Sequence, residues 1–187
     1  LCVIASCSGA AEPAWDTYAD TWVATDALGR ALPTNDVTGD PKGNKTVGIF
    51  YFTWLGQHDR TVYDISKILA AANGGEPQWG PAGCFHWWGQ PLFGYYQSAD
   101  EFIIRKHAQM LSDAGVDVII LDVTNASTYR NVYMTICRVY DEIRKTGQWT
   151  PQICFIANSN SAKTVSRLYD DFYSKNLYPD LWFRWKG

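Results

Sequence analysis

The sequence predicts an α/β protein, about the first three βα units of a (β/α)8 barrel of the TIM type, and three observations carry that prediction. Three short apolar runs, each with the pattern of a strand buried on both faces, alternate with three amphipathic helices. The second and third runs begin at 116 and 152, a spacing that fits right-handed βαβ units in a parallel sheet. The rival doubly wound fold lacks its dinucleotide fingerprint, because the first run leads into "TWLGQHD" rather than a glycine-rich turn opening a helix.

The first strand is "TVGIFYFTW", Thr46 to Trp54, and a long irregular insertion follows it. Ser98 and Glu101 then have the spacing of a capping box, which starts a helix. Ile104, Ala108, Leu111 and Gly115 share one face of that helix, and Gly115 is placed to end it in a left-handed turn. Val116 to about Val123 is the second strand. Val132, Ile136, Val139, Tyr140 and Ile143 mark the second helix, stopped near Gly147, and Gln152 to Ser159 is the third strand. Val165, Leu168, Tyr169 and Phe172 mark the third helix. The closing "YPDLWFRWKG" reads as a loop with no fourth strand, which would leave a three-stranded sheet with open apolar edges. A whole barrel needs roughly 250 residues or more, so residues 46–187 are expected to be its truncated first part.

Ahead of the barrel, residues 1–7 read as the end of a lipoprotein signal peptide and residues 8–45 as a tether and N-terminal extension. Ile4-Ala5-Ser6-Cys7 resembles the bacterial lipobox, in which the cysteine is lipidated and becomes the mature N-terminus. The plain alternative is an apolar N-terminal strand. Acylation of Cys7 implies an exported protein, lipid-anchored at the bacterial cell envelope, that meets the membrane through the anchor only. No other stretch approaches the ~20 apolar residues of a membrane span.

Composition narrows the ligand. With 187 residues, 47% of them hydrophobic, the chain can bury a sizeable core. Its formal net charge is −3 and no block of Lys or Arg occurs, so the electrostatic footprint of a nucleic-acid binder is missing. Five cysteines include no CxxC pair, and Cys84 with His86 is too small a ligand set for zinc; no metal or other cofactor is expected. Cys137 and Cys154 fall in apolar patterns and read as buried thiols. Aromatic residues make up 15%, including nine Trp, and they concentrate in "PAGCFHWWGQPLFGYY", Pro81 to Tyr96, a segment broken by Gly and Pro.

Parallel α/β folds bind ligands at the carboxyl ends of their strands. The candidates there are Tyr51, Thr53 and Trp54 with the following Gln57, His58 and Asp59; Asp122, Thr124 and Asn125; and Asn158 and Asn160. Short hydrogen-bonding side chains suit a hydroxyl-rich ligand, and tryptophan faces suit the CH patches of a sugar ring. Carbohydrate is the ligand class this implies. His86, Trp87 and Trp88 read as a substrate wall, with Phe93, Tyr95 and Tyr96 tucking the loop onto the first helix. Each has a plainer reading: Asp122 as a partner of a neighbouring backbone N–H, His86 as a satisfied loop histidine, Asn158 and Asn160 as helix N-caps. His107 is expected to face solvent or a neighbouring helix.

Taken together, "GIFYFTWLGQH", "FHWWGQPLFGYY" and "RKHAQMLSDAGVDVIILDVTNAS" resemble the N-terminal half of glycoside hydrolase family 71/99-like domains of exported bacterial proteins. In these an "FYYxWYG"-type first strand, a His-Trp element in the next loop and a helix ending "AGxDxxxxD" build one side of a sugar site. The resemblance covers about Val47 to Asn125. It implies a (β/α)8 glycosidase or transglycosidase acting on a polysaccharide or glycan. The sequence departs from the endomannosidase branch, which has a Ser-Trp-Tyr type ending where Asp122-Val123-Thr124 stand, so a mannan-type substrate does not carry over.

Glycoside hydrolysis generally uses two carboxylates, about 5–5.5 Å apart for retention and about 6.5–9.5 Å for inversion. No Glu-x-x-Glu or Glu-Trp pair occurs up to Gly187, and the family's pair lies late in the barrel, so the catalytic pair is expected beyond that residue. Asp122 is the best single acid here, ahead of Asp59, Asp64 and Glu76. The alternative is a non-catalytic surface carbohydrate-binding lipoprotein with the same barrel.

Overall fold

The computed structural model describes residues 24–40, 42–56, 60–87 and 89–186. Its centre is a parallel sheet of β1 (Gly48–Tyr51), β2 (Val118–Asp122) and β3 (Gln152–Ile156), in the order β1-β2-β3. Ile49 pairs with Ile119 and Ile119 with Ile153, so equivalent positions run straight across the sheet. The helices are α1 (Asn35–Thr38), α2 (Ile65–Ala72), α3 (Glu101–Asp113), α4 (Arg130–Lys145) and α5 (Ser161–Leu168). The alternation of parallel strands and helices is the one the sequence predicts.

All of the packed helices lie on one face of the sheet. Side chains alternate along a strand, so Ile119, Leu121 and Val123 of β2 and its extension share one side. These three are fully buried and pack with Ile153 against Ile104 and Ala108 of α3 and against Val132, Ile136, Cys137, Val139 and Tyr140 of α4. The opposite side carries Phe50 from β1 and Phe52 just beyond it, Ile120 and Asp122 from β2, and Cys154 and Ile156 from β3. None of these belongs to that core, and Phe50, Phe52 and Ile156 are exposed.

Several expectations need correction. The first strand is shorter than Thr46 to Trp54 and is not buried on both faces: Ile49 and Phe50 are exposed. Among the described residues it has one neighbouring strand, β2. The second strand begins at Val118 and the third ends at Ile156, within the predicted limits. Ser98 does not cap α3. Asp100 does, accepting from the Ile103 N–H at 3.2 Å, while the buried Ser98 hydroxyl accepts from the Leu55 N–H at 3.1 Å. Gly115 does adopt the left-handed conformation, at φ +68°, just past the helix end.

The insertion after β1 contains a helix, α2, which irregular composition concealed; Asp64 caps it by accepting from the Lys67 N–H at 3.0 Å. After α5 the chain widens into a π-helical turn, Tyr169–Tyr173. Thr164, Leu168 and Phe172, at i, i+4 and i+8, are buried, whereas Val165 and Tyr169 are exposed, so the predicted stripe is half right.

The end of the chain is not a plain loop. Trp182 forms a parallel bridge with Ile153, and the Phe183 N–H donates to the Ile153 carbonyl at 2.9 Å. The chain after α5 thus pairs in parallel, at this one bridge, with the outer edge of β3.

Candidate functional site

The carboxyl ends of the strands are tied together by their own loops. The Thr53 hydroxyl, fully buried, donates to the Asp122 carbonyl at 3.4 Å. The Val123 N–H donates to the Ile156 carbonyl at 3.0 Å and the Ser159 N–H to the Thr124 carbonyl at 2.8 Å. Leu55 and Ser98 bond reciprocally, closing the start of the first loop onto the start of α3. Groups on these ends are thus held by backbone rather than left on mobile loops.

Asp122 sits on the open side of the sheet, half-buried. Its Oδ1 accepts from the Thr124 N–H at 2.9 Å, an Asx turn that shapes the chain leaving β2. The plainer reading of Asp122 thus holds for one oxygen. Asn125 is occupied locally at both ends: its amide donates to the Tyr129 hydroxyl and its Oδ1 accepts from the Ser127 N–H at 3.2 Å. Asn158 is exposed at the end of β3. Asn160 occupies the N-cap position of α5 in the left-handed conformation, which asparagine tolerates, without a capping bond from its side chain.

A row of aromatic rings leads from Phe50 and Phe52 on the open side to Trp54 at these ends, where Trp54 also packs against the helix-side core. Phe50 and Phe52 meet edge to face with centroids 5.1 Å apart, Phe52 and Trp54 at 5.5 Å, and Trp54 and Phe85 at 4.6 Å. Such edge contacts are the favoured geometry of aromatic pairs. Phe52 and Phe85 were not among the predicted site residues. The signal was present as period-two spacing of Phe50, Phe52 and Trp54, which puts all three rings on one side of an extended chain.

The aromatic loop divides between two sites. Phe85 joins Trp54, whereas His86 turns back: its Nε2 donates to the Trp79 carbonyl at 2.7 Å, and its ring lies 5.0 Å from that of Tyr63. Gly80, at φ +88°, makes room for this fold, since a Cβ there would lie 2.6 Å from the Tyr63 ring. Trp87 packs on Tyr96 at 4.4 Å, and Tyr96 and Phe93 pack on His107 of α3. Phe93 and Tyr96 therefore tuck the loop onto that helix, as read from sequence, while the Tyr95 hydroxyl bonds instead to Ser66 of α2 at 3.0 Å.

Tyr51 belongs to the same cluster. It lies on the helix side of β1, and its hydroxyl meets His107 Nδ1 at 2.9 Å. Burial pushes the Tyr51 phenol far above its ordinary value and holds the His107 imidazole below its own. His107 is thus a loop anchor rather than a solvent-facing residue. His58, with Gln57 and Asp59, and Trp88 lie outside the described residues, as does Cys7. Among the described residues no three His, Cys, Asp or Glu side chains come together as a metal set, and no helix is long and apolar enough to cross a membrane.

No protein-family model matches the chain, and no curated protein does. Among solved structures it is similar to the GH99 endo-alpha-mannosidase from Bacteroides thetaiotaomicron, with 20% identity and a TM-score of 0.45, covering 75% of this chain and 42% of that one. The same enzyme in complex with Bis-Tris-propane gives 18% identity and a TM-score of 0.41, covering 75% of this chain and 39% of that one. The chain spans about two fifths of the length of these structures.

Proposed function

We propose that residues 46–187 are the opening units of a (β/α)8 glycoside hydrolase acting on a polysaccharide or glycan, with its catalytic carboxylates beyond Gly187. The observation that carries this reading is the aromatic row from Phe50 to Phe85, which ends beside strand-end hydrogen-bonding groups that include Asp122. The one-sided helix cover supports a barrel over a doubly wound sheet, which places helices on both faces. So do the sequential strand order and the parallel bridge of Trp182 to β3.

In this reading Trp54 and Phe85 present ring faces to the sugar, and Asp122 orients its hydroxyls or assists the carboxylate pair through Oδ2. Trp88 extends the wall, and His58, Asn125 and Asn158 border it, while His86 and Trp87 hold the loop from behind through Trp79 and Tyr96. Tyr51 supports the wall from behind, through His107. Hydrolysis of mannan, xylan and laminarin by the full-length protein tests the proposal, compared with Asp122→Asn and Trp54→Ala. A fall of about tenfold or more in either variant supports it; wild-type rates and affinities in both would sink the assignment.

The second reading, a non-catalytic carbohydrate-binding lipoprotein, is favoured by a specific observation. Asp122 is the only carboxylate among the described residues that close the three strands, and one of its oxygens is spent on its own turn. Glycan binding without hydrolysis by the full-length protein would select it. For either reading we propose lipidation at Cys7 and attachment to the bacterial cell envelope. Detergent-phase partitioning that is lost in Cys7→Ser is the expected result.

A further inference from the structure

We infer that the cleft between the C-terminal halves of α3 and α4 is a second carbohydrate-binding site, on the outer surface and remote from the strand ends. It has a volume of about 770 Å³ and is lined by Arg105, Gln109, Ser112 and Asp113 of α3 and by Gln148 and Trp149 of the loop after α4. α3 starts beside Leu55 at the carboxyl end of β1 and finishes just before β2 begins, so this cleft lies toward the amino ends of the strands. It does not depend on the glycosidase reading.

The loop presents an exposed ring on a fixed backbone. Trp149 is 47% exposed, yet its carbonyl lies 3.2 Å from the Ser112 hydroxyl, whose proton it shares with the nearer Ala108 carbonyl at 2.7 Å. The next residue, Thr150, is fully buried and held by Arg144, whose Nε donates to the Thr150 hydroxyl at 2.8 Å and whose Nη2 donates to its carbonyl at 2.7 Å. A large apolar ring held in water without a packing partner on its open face is a preorganised platform. Around it stand two primary amides and a carboxylate, from Gln109, Gln148 and Asp113, whose side chains form no hydrogen bond or ion pair with the described residues. Amides donate and accept together, which matches vicinal hydroxyls.

The other groups argue against rival ligands. The Arg105 guanidinium is already engaged by Glu142, so an anion finds no free cation there. Its apolar lining is the Trp149 ring and Ile143, which offers few anchor points to the side chains that peptide recognition uses. A sugar chain, with ring CH faces on Trp149 and hydroxyls on the amides and Asp113, uses what the cleft offers.

Native affinity electrophoresis of the full-length protein through gels cast with dextran, mannan, xylan or laminarin tests this, using wild type, Trp149→Ala, Trp149→Phe, Gln109→Ala/Gln148→Ala and Trp54→Ala. The site predicts retardation of wild type in at least one gel and about tenfold weaker binding or more for Trp149→Ala. It also predicts retention in Trp149→Phe, weakening in the double amide variant, and a Trp149-dependent component that survives Trp54→Ala. An unchanged melting temperature in Trp149→Ala excludes misfolding as the cause. Retardation lost in Trp54→Ala but untouched in Trp149→Ala overturns this inference and leaves the strand-end reading standing. Failure of wild type to be retarded in any gel, or capture of a peptide by the cleft without glycan binding, also overturns it.

Discussion

Trp182 pairs in parallel with Ile153, and the next residue donates its N–H to the Ile153 carbonyl at 2.9 Å. The Gln152 side chain reinforces the bridge by donating to the Trp182 carbonyl at 3.2 Å. The β3 edge, which the sequence led us to leave bare, thus has a neighbour at its amino end.

Removing the donor should therefore weaken the whole domain. Phe183→Pro deletes the N–H and leaves the Ile153 carbonyl unpaired, a loss of about 1–3 kcal/mol. Urea unfolding should show a lower midpoint with an unchanged slope.

Tyr51 and His107 give a pH signature. Because burial lowers the His107 pKa, the unfolded chain takes up its proton before the folded one does. The stability conferred by neutral His107 is complete above the unfolded value of about 6.5 and is lost as pH falls through the lower folded value. Urea midpoints should fall across that interval, and His107→Gln should flatten the fall.

Asp100 and Ser98 separate a cap from a loop clasp. Asp100→Ala removes the α3 cap and should cost about 0.5–2 kcal/mol. Ser98→Ala leaves the Leu55 N–H without its partner and should cost about 1–3 kcal/mol. Amide exchange should then quicken at Ile103 in the first variant and at Leu55 in the second.

The open side of the sheet should be adhesive when it stands alone. Phe50, Phe52 and Ile156 are exposed on one side of the sheet, and among the described residues the outer edge of β1 has no partner strand. A protein ending at Gly187 should bind a hydrophobic dye and self-associate in sedimentation; a dye-negative monomer with a cooperative unfolding transition would contradict this.

Much of the helix side was legible in the sequence. Ile104 and Ala108, and Val132, Ile136 and Val139, repeat at helical spacing and became the core, because burial of one face is what that period encodes. The strand ends were also placed, since Asp122 closes an apolar run. Three things were not legible. Ser98 matched the capping pattern, but Asp100 stood closer to the helix and Ser98 had a better partner in Leu55. His107 carried no local signal, because its partners, Tyr51, Phe93 and Tyr96, come from a strand and a distant loop. The pairing of Trp182 depended on the neighbouring edge of β3, which a reading of local pattern does not see.

The account places sugar against the aromatic row on the open side of the sheet. Titration calorimetry of the full-length protein with hexasaccharides of α- and β-linked glucose, mannose and xylose tests this most directly, comparing wild type, Trp149→Ala and Trp149→Ala/Trp54→Ala. The account predicts that at least one hexasaccharide binds Trp149→Ala and that adding Trp54→Ala weakens it about tenfold or more. Equal affinity in these two variants, or no binding of any hexasaccharide to wild type, would contradict it.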